Sequence, residues 1–101
     1  MRILSLNVCK EYFIAIQEGM KTEEYRLVKP YWEKRMAKNY DEVHILCGYP
    51  RKNDHSRRLV FPYNGYEIRE IIHAHFGVYP VNVFAIGLAN NAMNSDQNSA
   101  A

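Results

Sequence analysis

The chain has 101 residues, 48% of them hydrophobic and 24% charged, the composition of one ordinary globular domain with a single core. A net charge of +2 is too small for a general attraction to nucleic acid, so anion binding has to come from local patches of cations. No apolar stretch reaches the roughly 20 residues of a membrane span, and the two cysteines lack the paired spacings of a disulfide framework or a zinc cluster.

Ile3 to Val8 alternates apolar Leu4, Leu6 and Val8 with polar Ser5 and Asn7, the period of a strand with one buried face. The two polar residues break the opening apolar run before it reaches signal-peptide length, so a cytoplasmic protein with reduced cysteines and no membrane partner is expected. Asn7 also suits the N-cap of the helix that follows. In Cys9 to Glu18, Phe13 and Ile16 recur at helical spacing with Met20 beyond them, and Gly19 stands where a helix C-cap belongs. From Thr22 to Val28 the period changes to two. Tyr25 and Leu27 share one face of this strand, while Thr22, Glu24 and Arg26 line the other.

Lys29-Pro30 opens a second helix with Pro in its first turn, Trp32, Met36 and Tyr40 recur along it, and Asn39 is a suitable stop. Glu42 to Tyr49 is a third strand, with Val43, Ile45, Cys47 and Tyr49 on one face. Pro50 to Arg57 is polar throughout and reads as a loop. Leu59–Tyr63, then Asn64-Gly65, then Tyr66–Ile72 spells a β-hairpin with a tight primed turn, and Pro62 places its first arm at an edge or bulge. His73 and His75 continue that second arm, on one face with Ile71. Phe76 to Pro80 is a connection, and Val81 to Leu88 is a last apolar strand. The domain is expected to span residues 1–88, with residues 89–101 a disordered tail of Asn, Ala, Ser, Asp and Gln with one Met.

Five or six strands in a chain this short present many edges, and closing the sheet removes them. The expected fold is therefore α+β: a small mixed β-barrel of five to six strands with two short helices packed outside.

Two groups of residues carry chemistry. Lys21, Thr22, Glu24 and Arg26 bring an ammonium, a hydroxyl, a carboxylate and a guanidinium to one helix–Gly–strand corner, a set able to bind a polar ligand. The same spacing also suits a solvated strand face, on which a Glu24–Arg26 pair contributes little. The second group is Lys34, Arg35 and Lys38 on the second helix with Arg51, Lys52, Arg57 and Arg58 in and beside the loop. Tyr31, Trp32, Tyr40, Tyr49, Tyr63 and Tyr66 lie near them in sequence. Cations along a backbone and rings that stack on bases are the ingredients of single-stranded nucleic-acid binding, although a small core needs rings as well. Asp54 is the only acid among residues 51–58, so this loop is suited to close over phosphates. His73 and His75 can chelate zinc, but no third ligand is placed by sequence, and no metal or cofactor is assigned. Glu67 and Glu70 form a charged face, from which either can meet Lys21 across a closed barrel.

Gly19-x-Lys21-x-x-Glu24-x-Arg26 resembles the G-x-K-x-x-E-x-R signature of ASCH domains, small proteins with a PUA-like β-barrel. The resemblance runs from Ile3 to about Leu88 in the order and spacing of helices and strands. It implies a PUA-like barrel, and the short single-domain form is similar to stand-alone ASCH proteins of bacteria and their phages. It further implies binding of single-stranded RNA or a nucleotide-like ligand in a cleft at Lys21, Glu24 and Arg26, and a monomer or weak dimer is expected. There Lys21 and Arg26 would contact phosphate or base edges. Some small proteins with this barrel are amidohydrolases acting on acetylated cytidine, with a Thr nucleophile where this chain has Glu24. A carboxylate in that place needs a different mechanism, so that activity is not carried over. The alternative is a small hydrolase of RNA or of a modified nucleoside, with Lys21, Thr22 and Glu24 as the reacting set and no His placed by the motif to act as base. A third expectation is an accessory factor with a protein partner, whose mark would be an exposed apolar patch.

Overall fold

The computed structural model describes residues 1–88, and the expected tail at 89–101 lies outside the described residues. In chain order the elements are β1 (Ile3–Val8), α1 (Lys10–Gln17), β2 (Glu23–Leu27), α2 (Pro30–Met36), β3 (Glu42–Cys47), β4 (Arg58–Pro62), β5 (Tyr66–Ile71) and β6 (Val81–Gly87). Single 3₁₀ turns at His55–Arg57 and Ala74–Phe76 precede β4 and β6.

The six strands form two three-stranded sheets, ordered β1-β3-β4 and β2-β6-β5. In the first, β1 runs parallel to β3 with Leu6 opposite Ile45, and β4 returns antiparallel with Phe61 opposite Val43. In the second, β6 is central and antiparallel to both neighbours, with Ile86 opposite Glu24 on one side and Tyr66 on the other. One core joins the sheets. Leu4, Leu6 and Val8 of β1 and Val43, Ile45 and Cys47 of β3 meet Phe84 and Ile86 of β6, Leu88 just beyond it, and Phe13, Ile16 and Met36 from the helices. The period-two alternation of β1 and β3 sends alternate side chains into this core, and the helical spacing of Phe13 and Ile16 lays α1 against it.

The Asn64-Gly65 turn does not make a hairpin. β4 pairs with β3 and β5 pairs with β6, so the segment between them crosses from one sheet to the other. A primed two-residue turn of this type needs positive φ at both central residues. Here Gly65 has φ +82° and Asn64 does not enter the positive region. Packing decides the crossing: Tyr63 sets its ring edge-on to Tyr40, whereas Tyr66 sets its ring on Phe84 of the other sheet. Pro62 does lie on an edge strand, where a missing N–H costs no ladder bond.

Other expectations are corrected by the same geometry. Met20 is 81% exposed, because the helix ends before it. The Gly19 N–H donates to the Ile16 carbonyl and the Met20 N–H to the Ala15 carbonyl, a Schellman stop with Gly19 at φ +79°. The N-cap of α1 is Cys9, while Asn7 stays in β1 and donates its side-chain amide to the Gly48 carbonyl. β3 ends at Cys47 and Tyr49 is exposed. β5 ends at Ile71, so His73 and His75 belong to the turn after it and share no strand face. Glu67 pairs with Arg69 of its own strand and not with Lys21.

Candidate ligand-binding site

A cavity of about 390 Å³, open to solvent, lies where the end of β1, the start of α1, the strand β2 and the turn at Ala74–Phe76 come together. Strands β1 and β2 are each at the edge of their sheet. Lys21, Glu24 and Arg26 line the cavity, brought there by the helix stop at Gly19 and the extended backbone of β2.

Glu24 organises them. It is only 4% exposed, the sole buried charged residue among the described residues. Lys21 Nζ stands 3.4 Å from its Oε1, and the Arg26 guanidinium donates to its Oε2. Arg26 has two further acceptors, the Tyr25 carbonyl at 3.0 Å and the Asn7 carbonyl at 2.9 Å, the second tying β2 to the end of β1. All three charges are thus held by fixed partners, as a low-dielectric setting requires. Two cations around one carboxylate leave the cluster net positive, and Lys29 on the same lining adds another ammonium.

Rings cover the remaining wall. Lys21 Nζ sits 4.6 Å from the centre of the Tyr25 ring and 5.1 Å from that of Tyr12, within cation–π range. The Arg26 guanidinium lies 5.2 Å from the Trp32 ring, which also carries Arg35 at 4.8 Å. Burial pushes the Tyr12 and Tyr25 hydroxyls up from their ordinary pKa, and the hydrogen bond from Tyr25 to Glu23 acts the same way on Tyr25. His73, His75 and Phe76 complete the lining, with the His73 ring 6.0 Å from both Tyr12 and Tyr25.

Several residues singled out from sequence lie elsewhere. Thr22 is exposed and outside the cavity lining, with its backbone carbonyl accepting from Leu88 N–H. Arg51 and Lys52 are exposed and do not line the cavity. Arg57 donates to the Cys47 carbonyl at 2.7 Å and lines a second cavity, which adjoins the first through Cys9. Arg58 stands 3.1 Å from Nδ1 of His44 in the first sheet. Of the rings near the basic segments, only Trp32 lines the cavity; Tyr31 packs on Trp32, and Tyr40 packs on Tyr63.

Sequence reasoning missed Tyr12, Lys29, His73, His75 and Phe76 as lining residues. Tyr12 was legible in principle, one residue from Phe13 on the rim of the buried stripe of α1. The other four depend on where β5 ends and how β2 is placed. Among the described residues no group of three or more His, Cys, Asp or Glu side chains is arranged to hold a metal ion, and no helix is long and apolar enough to cross a membrane. Compared with models of known families, with curated proteins and with solved structures, the chain matches none.

Proposed function

We propose that this chain is an ASCH-type domain of PUA-like fold that binds single-stranded RNA or a nucleotide-like ligand in the cavity at Lys21, Glu24 and Arg26. The observation that carries the proposal is the meeting, on one wall, of a net-positive Lys21–Glu24–Arg26 cluster with the rings of Tyr12, Tyr25 and Trp32. Cations suit phosphate and flat rings suit bases, and a concave site of a few hundred Å³ suits one nucleotide unit. A barrel reading is supported by the shared core of the two sheets and by Arg26, which bridges the edges of β2 and β1. In this proposal Arg51, Lys52, Arg57 and Arg58 meet the backbone of a longer strand instead of closing over the cavity. The protein works in the cytoplasm, where Cys9 and Cys47 stay free thiols.

A hydrolase acting on RNA or on a modified nucleoside is the second reading. It is favoured by His73 and His75, which stand in the same cavity as Lys21 and offer the acid–base group that the motif lacks. The exposed Thr22 is not its nucleophile.

The test is a salt series of binding to short single-stranded RNA and DNA, with nucleosides followed for turnover in parallel. RNA affinity that falls with salt and is lost in Lys21→Ala and Arg26→Ala supports the binding module, because phosphate contacts release counterions. Consumption of a nucleoside or cleavage of the RNA favours the hydrolase, and affinity that survives both substitutions removes the site.

A further inference from the structure

The turn after β5 contains a histidine whose neutral tautomer is selected by the backbone. The N–H of His75 donates to Nδ1 of His73 at 3.1 Å. A ring nitrogen that accepts carries no proton, so the neutral imidazole of His73 holds its proton on Nε2. The ring is fixed in that pose from three sides, by the edge of Tyr12 at 6.0 Å, by Tyr25 at 6.0 Å and by Phe76 at 6.0 Å. Among the described residues no side-chain nitrogen or oxygen is both buried and unpartnered, and the hydrogen bond of His73 runs through Nδ1. Nε2–H is therefore a donor open to solvent on a residue that lines the cavity.

This donor differs in kind from Lys21 and Arg26. In the neutral ring it carries no charge and has one direction, and it belongs to the turn beside the Tyr12 and Tyr25 rings that carry Lys21. A phosphate is served by the cations, whereas a single neutral N–H set among rings suits an in-plane acceptor on a flat heterocycle. We propose that His73 is the base-reading residue of this cavity, donating from Nε2 to a carbonyl oxygen or ring nitrogen of a nucleobase that packs among the surrounding rings. This rests on the nucleotide-binding function proposed above and adds which group meets the base.

Calorimetric titration of the full chain with uridine 5′-monophosphate and with ribose 5-phosphate, which lacks the base, tests the assignment. The variants are His73→Phe, His73→Gln and the pair Lys21→Ala with Arg26→Ala, each checked by circular dichroism for folding. His73→Phe keeps a ring and removes the donor, and it is expected to weaken uridine monophosphate about tenfold, the scale of one lost hydrogen bond. His73→Gln returns an N–H near the same place and is expected to recover most of the loss. Ribose 5-phosphate is expected to bind both His73 variants as it binds wild type. Uridine monophosphate bound equally by wild type and His73→Phe, while the Lys21 and Arg26 variants lose it, overturns the role of His73 and leaves the nucleotide site standing. An equal loss of ribose 5-phosphate in His73→Phe also overturns it, since the imidazole then reads sugar or phosphate. No binding of either compound by wild type overturns both. A long-range nitrogen–proton spectrum showing the His73 proton on Nδ1 overturns the assignment whatever the affinities.

Discussion

Glu24 and Arg26 stand two residues apart on one face of β2, and the guanidinium of the second caps the buried carboxylate of the first while reaching the Asn7 carbonyl of β1. One side chain thus neutralises a buried charge, satisfies a backbone acceptor and joins two sheet edges. Lys21 completes the arrangement from the other carboxylate oxygen.

Replacing Glu24 by Gln keeps the shape and removes the charge between two partly buried cations. The cost is expected to be about 2–3 kcal/mol, below that of a fully enclosed pair because both cations keep a path to water. Thermal unfolding should fall by on the order of 10 °C for a domain of this size. A variant as stable as wild type would show that Lys21 and Arg26 need no counter-charge here.

Arg26→Lys retains the positive charge but not the planar fork. One ammonium does not serve Glu24, the Tyr25 carbonyl and the Asn7 carbonyl together. A loss of about 1–2 kcal/mol in urea unfolding is expected from the abandoned acceptors. If the midpoint is unchanged, the bridge between β1 and β2 contributes nothing to stability.

The acid limb of stability should report Glu23. Its hydrogen bonds from Arg69, with further help from Tyr25, outweigh burial and hold the carboxyl below its ordinary value of 4.5. A depressed folded-state pKa gives stability that is complete above the ordinary value and is lost as pH falls through the lower, folded value. Unfolding midpoints measured from pH 6 downward should therefore decline more steeply below pH 4.5 in wild type than in Glu23→Gln. Parallel curves for the two proteins would remove Glu23 from the account.

Gly19→Ala tests the corner that sets the start of β2. A Cβ at this position meets nothing within 4 Å, so the cost is conformational alone and comes from φ +79°. A penalty of roughly 1–2 kcal/mol in chemical unfolding is expected, with Gly19→Asn milder because Asn tolerates that region better. Equal stability of Ala and Gly would mean that the helix ends in some other way.

Local periodicity was sufficient for the presence of β1, α1, β2, α2 and β3, as with Phe13 and Ile16 before Gly19, but not for every boundary or face. The helix α2 ends at Met36, so Lys38 and Tyr40 lie beyond it, β3 ends at Cys47, and in β2 the buried residue is Glu24. Glu24 and Arg26 were visible for the same reason, since a strand places alternate residues on one face, and Lys21 because it follows the helix stop at Gly19. Which neighbour a strand pairs with is a different kind of question. Asn64-Gly65 is a strong local signal, yet Phe61 finds its place beside Val43, and Tyr66 finds its place on Phe84. Burial of Phe61 in the core, with the edge-on packing of Tyr66 against Phe84, outweighs the preference of a two-residue turn.

The sequence by itself determined the elements whose information is local: a repeat of polar and apolar residues, a glycine at a helix end, a proline at a sheet edge. Only the tertiary structure decided that β4 and β5 part company, that Glu24 is buried and not on a solvated face, and that His73, His75 and Phe76 line one cavity with Lys21. Those three depend on contacts between residues far apart in the chain, such as Glu24 beside Ile86 and Tyr12 against His73. The free energy of such contacts comes from excluding water between surfaces that meet only when the whole chain is folded.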